Sequence, residues 1–217
     1  MIEAIIFDFD GVIADTEMAR LKALIKYARG KGYTLLGEEE GFRRIVGRTS
    51  REFLTDAYPE MNEETITYIV ERRRADTRQN IAECAEMIDG IKETLEELSK
   101  YRLAICSGST REIIKATISH FGIENKFIAI VGQDDVDNLK PHPQPYLLAL
   151  ERLGVLAENA VAIEDTAIGI ESAKKAGMPV IGFRNRTYEK YGYMPILTGA
   201  NFVVDNLRAI PRVVERL

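Results

Sequence analysis

Two aspartates one residue apart, Asp8 and Asp10, follow the apolar run Ile5-Ile6-Phe7 and precede Gly11. Side chains at i and i+2 of an extended segment share a face, so both carboxylates are expected to aim at one spot where the backbone leaves a sheet. Two like charges about 4 Å apart repel by roughly 4 kcal/mol at an effective dielectric of about 20. Such a pair persists where a cation sits between the acids, where one of them holds a proton, or where the turn is simply solvated. Three further polar groups lie past apolar runs, two of them directly and Lys140 beyond Ile128–Val131 and Asp134-Asp135. Ser107-Gly108-Ser109 follows Leu103–Cys106, and either caps a helix or offers hydroxyls and N–H groups to a phosphate. Lys140 precedes Pro141, which restricts it to extended backbone, so it is either a surface lysine or an ammonium held in place. Glu164-Asp165 follows Ala160–Ile163 and either caps the next helix through Asp165 or supplies a second acid pair. A carboxylate nucleophile, a second carboxylate, neutral donors, a fixed cation and a further acid pair make an inventory for phosphoryl transfer to an aspartate with a magnesium ion.

The elements that position these residues follow from hydrophobic period and capping. Residues 2–8 read as a buried strand. A helix follows over 17–29, with Met18, Leu21, Leu24, Ile25 and Ala28 on one face. Thr49-x-x-Glu52 is a capping box for a helix around 50–58, and Asn62 caps a longer one to about residue 82. No strand is expected between the first one and about Ile81, so 16–85 reads as an inserted helical unit and 1–15 with 86–217 as the core. From there strand and helix alternate: helix 91–99, strand 103–106, a helix opened by Ser109-x-x-Glu112 and closed at Phe121-Gly122, strand 128–131, helix 143–153, strand 160–163, helix 167–176, strand 180–183, a weak strand 201–204 and a C-terminal helix. The fold class is α/β, a Rossmann-like, mostly parallel sheet covered by helices on both faces, with an α-helical cap inserted. Ligands of such sheets sit beyond the carboxyl ends of the strands, where all four polar groups fall.

With 217 residues, 46 % hydrophobic and 29 % charged, the chain fits one domain, or one with a smaller insert. The net charge of −5 gives no basic footprint for nucleic acid. Arg72-Arg73-Arg74, followed by Asp76, reads as a solvated helix face. Cys84 and Cys106 make no disulfide framework, and Cys106 reads as a buried thiol. Glu3 and Asp8 interrupt the N-terminal apolar stretch, and no run of about 18 apolar residues exists. No membrane partner is therefore expected, and the expected location is cytoplasmic. His120 reads as a surface or capping group, while His142 falls two residues from Lys140. Tyr188, Tyr191 and Tyr193 suit core packing or self-association. The expected assembly is a monomer or a weak homodimer.

Taken in order, Asp8-Phe9-Asp10-Gly11-Val12, Ser107, Lys140-Pro141 and Glu164-Asp165 resemble the four motifs of the haloacid dehalogenase superfamily, over essentially the whole chain. The continuation Thr166-Ala167-Ile168-Gly169-Ile170 to Ala176-Gly177 is the most specific part. The helical insert after the first strand is similar to that of the subfamily containing β-phosphoglucomutase and phosphoglycolate phosphatase. Dehalogenases of the superfamily lack the second aspartate, so Asp10 implies phosphate chemistry. The resemblance implies that Asp8 attacks phosphorus and becomes an aspartyl phosphate. It implies that Asp10, protonated, donates to the leaving oxygen and then deprotonates a water. Mg²⁺ would be held by the Asp8 carboxylate, the Asp10 backbone carbonyl and Asp165, with Glu164 supporting through water. Ser107, the N–H groups at Gly108 and Lys140 would hold the phosphate.

The function so implied is a Mg²⁺-dependent phosphohydrolase acting on a small phosphorylated metabolite. Three cap arginines, Arg20, Arg48 and Arg51, point to a sugar phosphate by charge type. A phosphomutase of the β-phosphoglucomutase kind is the first rival, since Arg51 resembles the cap arginine with which that enzyme grips a distal phosphate. The histidine of that enzyme's first cap helix is Arg20 here, which favours a phosphatase. A receiver-like, non-enzymatic phospho-aspartate domain is the second rival. There the acid pair comes early in the chain, whereas Glu164-Asp165 comes late.

Overall fold

A computed structural model describes residues 1–34, 36–80 and 84–217. The run Ala4-Ile5-Ile6-Phe7 is strand β1 (Ala4–Phe7), buried at every position. It pairs in parallel with β4 (Arg102–Cys106) on one side and β6 (Ala160–Glu164) on the other. With β5 (Ala129–Val131), β7 (Val180–Phe183) and β8 (Phe202–Val204) it forms a six-stranded parallel sheet, in the order β5-β4-β1-β6-β7-β8. The register sets Phe7 opposite both Ile105 and Ile163. Three neighbouring strands therefore end at one level, and the residues that follow them meet there.

Both faces of the sheet are covered, which is why its strands read as continuous apolar runs rather than alternating ones. Ile5 and Phe7 pack with Ile91 and Leu95 of α5 (Ile91–Glu97) and with Ile114 and Ile118 of α6 (Arg111–His120). Ala4 and Ile6 pack on the other face with Tyr146 and Ala149 of α7 (Gln144–Leu153) and Ile170 and Ala173 of α8 (Ala167–Lys175). A short α9 (Ile210–Val214) closes the chain.

Four helices, α1 (Glu17–Gly30), α2 (Glu38–Ile45), α3 (Ser50–Ala57) and α4 (Glu63–Gln79), pack around a third cluster that includes Leu21, Leu24, Phe42, Phe53 and Ile69. The Thr49–Glu52 capping box forms: Glu52 N donates to Thr49 Oγ1 at 3.2 Å and Thr49 N to Glu52 Oε2 at 2.7 Å. Asn62 caps α4 through Thr65 N at 2.9 Å. The expected run of that helix to about residue 82 enters residues outside the described set. Helix α2 was not anticipated. Only Gly41, Phe42 and Ile45 of its eight residues are buried, an inward face of barely one turn, while its leading glutamates and trailing arginines match the helix dipole.

The sequence reading also lacked two short strands, β2 (Ala14–Asp15) and β3 (Glu86–Met87). They pair antiparallel, Ala14 with Met87 and Asp15 with Glu86. Two-residue strands leave no periodic signal. The chain departs for α1–α4 through one and returns through the other. Among the described residues, no helix is long and apolar enough to cross a membrane.

Candidate active site

Asp8 stays on the sheet, its N–H donating to Ile163 O at 2.9 Å, and is 7 % exposed. The chain then turns sharply: Ile13 and Ala14 both donate to Phe9 O, and Gly11 takes φ +89°, a left-handed conformation that favours glycine. Lys140 reaches this point from the segment before α7. Its Nζ donates to Asp8 Oδ1 at 2.9 Å, to Cys106 O at 2.9 Å and to Glu164 Oε1 at 2.6 Å. Glu164, the last residue of β6, is fully buried. Its Oε1 also accepts from the Tyr146 hydroxyl at 2.6 Å, and its Oε2 from Thr166 Oγ1 at 3.1 Å. The Lys140 ammonium lies 4.9 Å from the centroid of the Tyr146 ring, so one aromatic residue serves both charges.

Asp165 is different. It is fully buried, and neither carboxylate oxygen has a hydrogen-bond partner. It does not cap α8; Thr166 does, accepting from Gly169 N at 3.1 Å. Asp8, Glu164 and Asp165 offer one oxygen each within 4.8 Å of one another. Burial, then the charges of Asp8 and Glu164, pushes the Asp165 carboxyl well above its ordinary range. Asp8 is raised to about 8 by burial, then by Glu164, against the pull of Lys140. Burial lowers the Lys140 ammonium, but Asp8 and then Glu164 override it, and the group ends well above its usual value. Three carboxylates around one ammonium, with two orphaned oxygens, leave this centre short of positive charge. A divalent cation with hard oxygen ligands fits that deficit.

The Asp10 carboxylate stands apart, among hydroxyls. Oδ1 accepts from Thr16 Oγ1, and Oδ2 accepts from Ser107 Oγ at 3.1 Å and Ser109 Oγ at 2.9 Å. A hydroxyl donates or accepts as needed, so the same partners serve Asp10 with or without a proton. Ser109 does not form the expected box with Glu112: α6 starts after Thr110, and the Ser109 hydroxyl is spent on Asp10. Ser107, expected on a phosphate, likewise points its hydroxyl at Asp10 and accepts from Ser109 N at 2.9 Å. Gly108 faces open space.

These groups line a cavity of ≈ 60 Å³ with Glu17, Arg20, Arg48 and Thr49 on its far side. Through Arg20, Thr49, Gly108 and Leu139, which line both, it adjoins a chamber of ≈ 280 Å³ that also holds Arg51, Arg73 and Arg74. Of the three expected cap arginines, Arg20 and Arg48 line the cavity at Asp8 and Arg51 only the adjoining chamber, each with an acid partner: Arg20 with Glu17, Arg48 with Asp56 at 3.1 Å, and Arg51 with Glu63. Arg20 also donates to Ile45 O at 3.1 Å. The reading of Arg72–Arg74 as a solvated face holds for Arg72, which is exposed, and is corrected for Arg73. Arg73 is 7 % exposed and donates to Ser50 Oγ at 3.3 Å, and burial followed by Arg20 and Arg74 lowers it to about 10.

Glu17 and Tyr146 escaped the sequence reading, each hidden in an ordinary helical pattern. His142 does not join the site; it is exposed and accepts from Gln144 N at 3.1 Å. The tyrosines pack on α2, with Tyr188 5.1 Å and Tyr191 4.5 Å from Phe42 between ring centroids.

A parallel sheet ending in a paired aspartate, a buried lysine and a late acid pair defines a hydrolase of the haloacid dehalogenase type. The model of the haloacid dehalogenase-like hydrolases matches residues 5–183, and the chain belongs to that family. It is 33 % identical over 181 residues to a phosphorylated carbohydrates phosphatase of Thermotoga maritima, covering 81 % of this chain and 82 % of that one. It is 28 % identical to the fructose-1-phosphate phosphatase YqaB of Escherichia coli, covering 83 % and 95 %. The crystal structure of CbbY from Rhodobacter sphaeroides with phosphate superposes with a TM-score of 0.82, at 28 % identity, covering 97 % of this chain and 96 % of that one.

Proposed function

We propose that the chain is a Mg²⁺-dependent phosphatase of small phosphorylated carbohydrates that works through an aspartyl phosphate on Asp8. One observation carries this reading: Asp8 sits at a strand end with Lys140 on one oxygen and the buried acids Glu164 and Asp165 beside it, on a cavity that Arg20 and Arg48 also line. Asp8 Oδ1 is held by Lys140, which leaves Oδ2 to attack phosphorus. Asp10, two residues on and supported by three hydroxyls, is the acid for the leaving oxygen and then the base for water. The residues that would hold the cation are Asp8, the Asp10 backbone carbonyl and Asp165. Glu164 is committed to Lys140, Tyr146 and Thr166 and supports it from outside. When bound, the cation offsets the repulsion between the Asp8 carboxylate and a phosphate dianion.

Residues 16–85 act as the cap in this reading and exclude water from the cavity. The arginine chamber suits a substrate with a second anionic or hydroxyl-rich part, consistent with the carbohydrate ester named for the Thermotoga relative. The deciding experiment is a screen of sugar phosphates with Mg²⁺ that measures both free phosphate and isomerised product. Phosphate release, lost in Asp8→Asn, is expected. Isomerisation of β-glucose 1-phosphate with little free phosphate would replace the phosphatase by a mutase, and stable labelling without turnover would replace it by a receiver-like domain.

A further inference from the structure

The loop after β7 makes contacts that the reaction described above does not use. Asn185, 1 % exposed, donates through Nδ2 to Gly11 O at 2.9 Å. Tyr188, three residues later, is fully buried. Its ring packs edge-on against Phe42 of α2 and against Tyr193, with centroids 5.1 and 5.9 Å away, and belongs to the apolar cluster of α1–α4. The hydroxyl at the other end of that ring is buried with no hydrogen-bond partner among the described residues, and both Asp165 oxygens share that condition. The two groups border the same small space above Gly11. A Cβ built there would lie 2.0 Å from Asp165 Oδ2 and 2.5 Å from Tyr188 Oη. Leaving a buried hydroxyl unpaired is costly, and leaving a charged group unpaired more so. The chain has placed an orphaned donor beside an orphaned acceptor, and Gly11 is the residue that leaves room for both.

We propose that Tyr188 is a positioning residue for the cation site: with a cation held there, its hydroxyl, unpartnered among the described residues, would donate to the Asp165 carboxylate beside it, while its ring ties that carboxylate to the packing of α2. The inference rests on the cation reading of Asp8 and Asp165 given above. Outer hydrogen bonds of this kind fix the orientation of a metal-ligating carboxylate, and losing one lowers metal affinity about 10–100-fold.

Mg²⁺ titrated by calorimetry into the whole chain, without substrate, tests this. Tyr188→Phe keeps the ring and removes the hydroxyl, and is expected to bind Mg²⁺ about 10-fold more weakly. Tyr191→Phe, which removes a hydroxyl from the same aromatic group, is expected to bind as wild type does. Equal affinity in Tyr188→Phe and wild type, or an equal loss in Tyr191→Phe, overturns the proposal. A second measurement needs no variant. The chain has nine tyrosines and no tryptophan, so Mg²⁺ is expected to produce a tyrosine difference spectrum in the wild type, and its absence counts against Tyr188. A wild type that binds no Mg²⁺, matching Asp165→Asn, overturns the cation reading itself, which keeps the two failures distinct.

Discussion

Lys140 brings one positive charge to a cluster of three buried carboxylates, and that imbalance decides what each of them does. Glu164 is satisfied on both oxygens, Asp8 on one, and Asp165 on neither. Asp8→Asn keeps the shape of the side chain but removes the proposed nucleophile, so turnover is expected to fall by at least about 10³-fold with the melting temperature maintained. Steady-state phosphate release and a thermal melt check both halves. Tyr146→Phe removes one of the two donors to Glu164 Oε1. It is expected to cost about 1.5 kcal/mol in urea unfolding and to leave Lys140 less firmly held, so that kcat falls while KM changes little. Nothing in the spacing of α7 marks Tyr146 as other than a core aromatic, because its function lies in a contact 18 residues further along the chain.

Helix α8 begins against the acid pair so closely that a side chain at Gly169 would overlap Glu164, its Cβ lying 1.9 Å from the carboxylate. Gly169→Ala is therefore expected to destabilise the fold by about 3 kcal/mol or more, read as a lower urea midpoint. The strands on either side of this junction were legible from sequence because each is a short apolar run ended by a polar group. The site was legible for the same reason, since a shared register brings consecutive strand ends together. Helix α2 was not, because its buried face is only Gly41, Phe42 and Ile45, a single short stretch among charged residues. Nor were β2 and β3, which exist through their pairing with each other. The misplaced capping box at Ser109 has a different cause. The local pattern is present, but Asp10 competes for the hydroxyl, and a contact spanning 99 residues has no local signature.

Across the whole molecule, buried acids make stability depend on pH. Burial raises Glu17 to about 7, with Arg20 pulling the other way, and Asp8 reaches about 8. An acid whose folded value lies above its unfolded one binds more protons when folded. Its stabilising effect is complete below the unfolded value near 4.5 for Glu17 and is lost as pH rises through about 7. The metal-free chain is thus expected to melt at progressively lower temperature from pH 5 to pH 8. Glu17→Gln is expected to remove a share of that slope on the order of 3 kcal/mol, measured by unfolding at several pH values. Added Mg²⁺ is expected to flatten the upper part of the curve, where ionised Asp8 gains a partner.

The two crossings between the sheet and the helices lie side by side, Ala14 opposite Met87 and Asp15 opposite Glu86. Residues paired in this way are about 5 Å apart, so whatever lies between them begins and ends at one place. A foreign helical segment grafted between Asp15 and Glu86 would close without pulling on β1 or β4, and neither would register its length. The sheet and the helical insert are therefore joined at a single place. Chimeras made at this ladder are expected to keep the six-stranded sheet folded, read as an unchanged melt of the sheet domain, provided that Thr16, which donates to Asp10, and an aromatic partner for Tyr188 are retained in the graft.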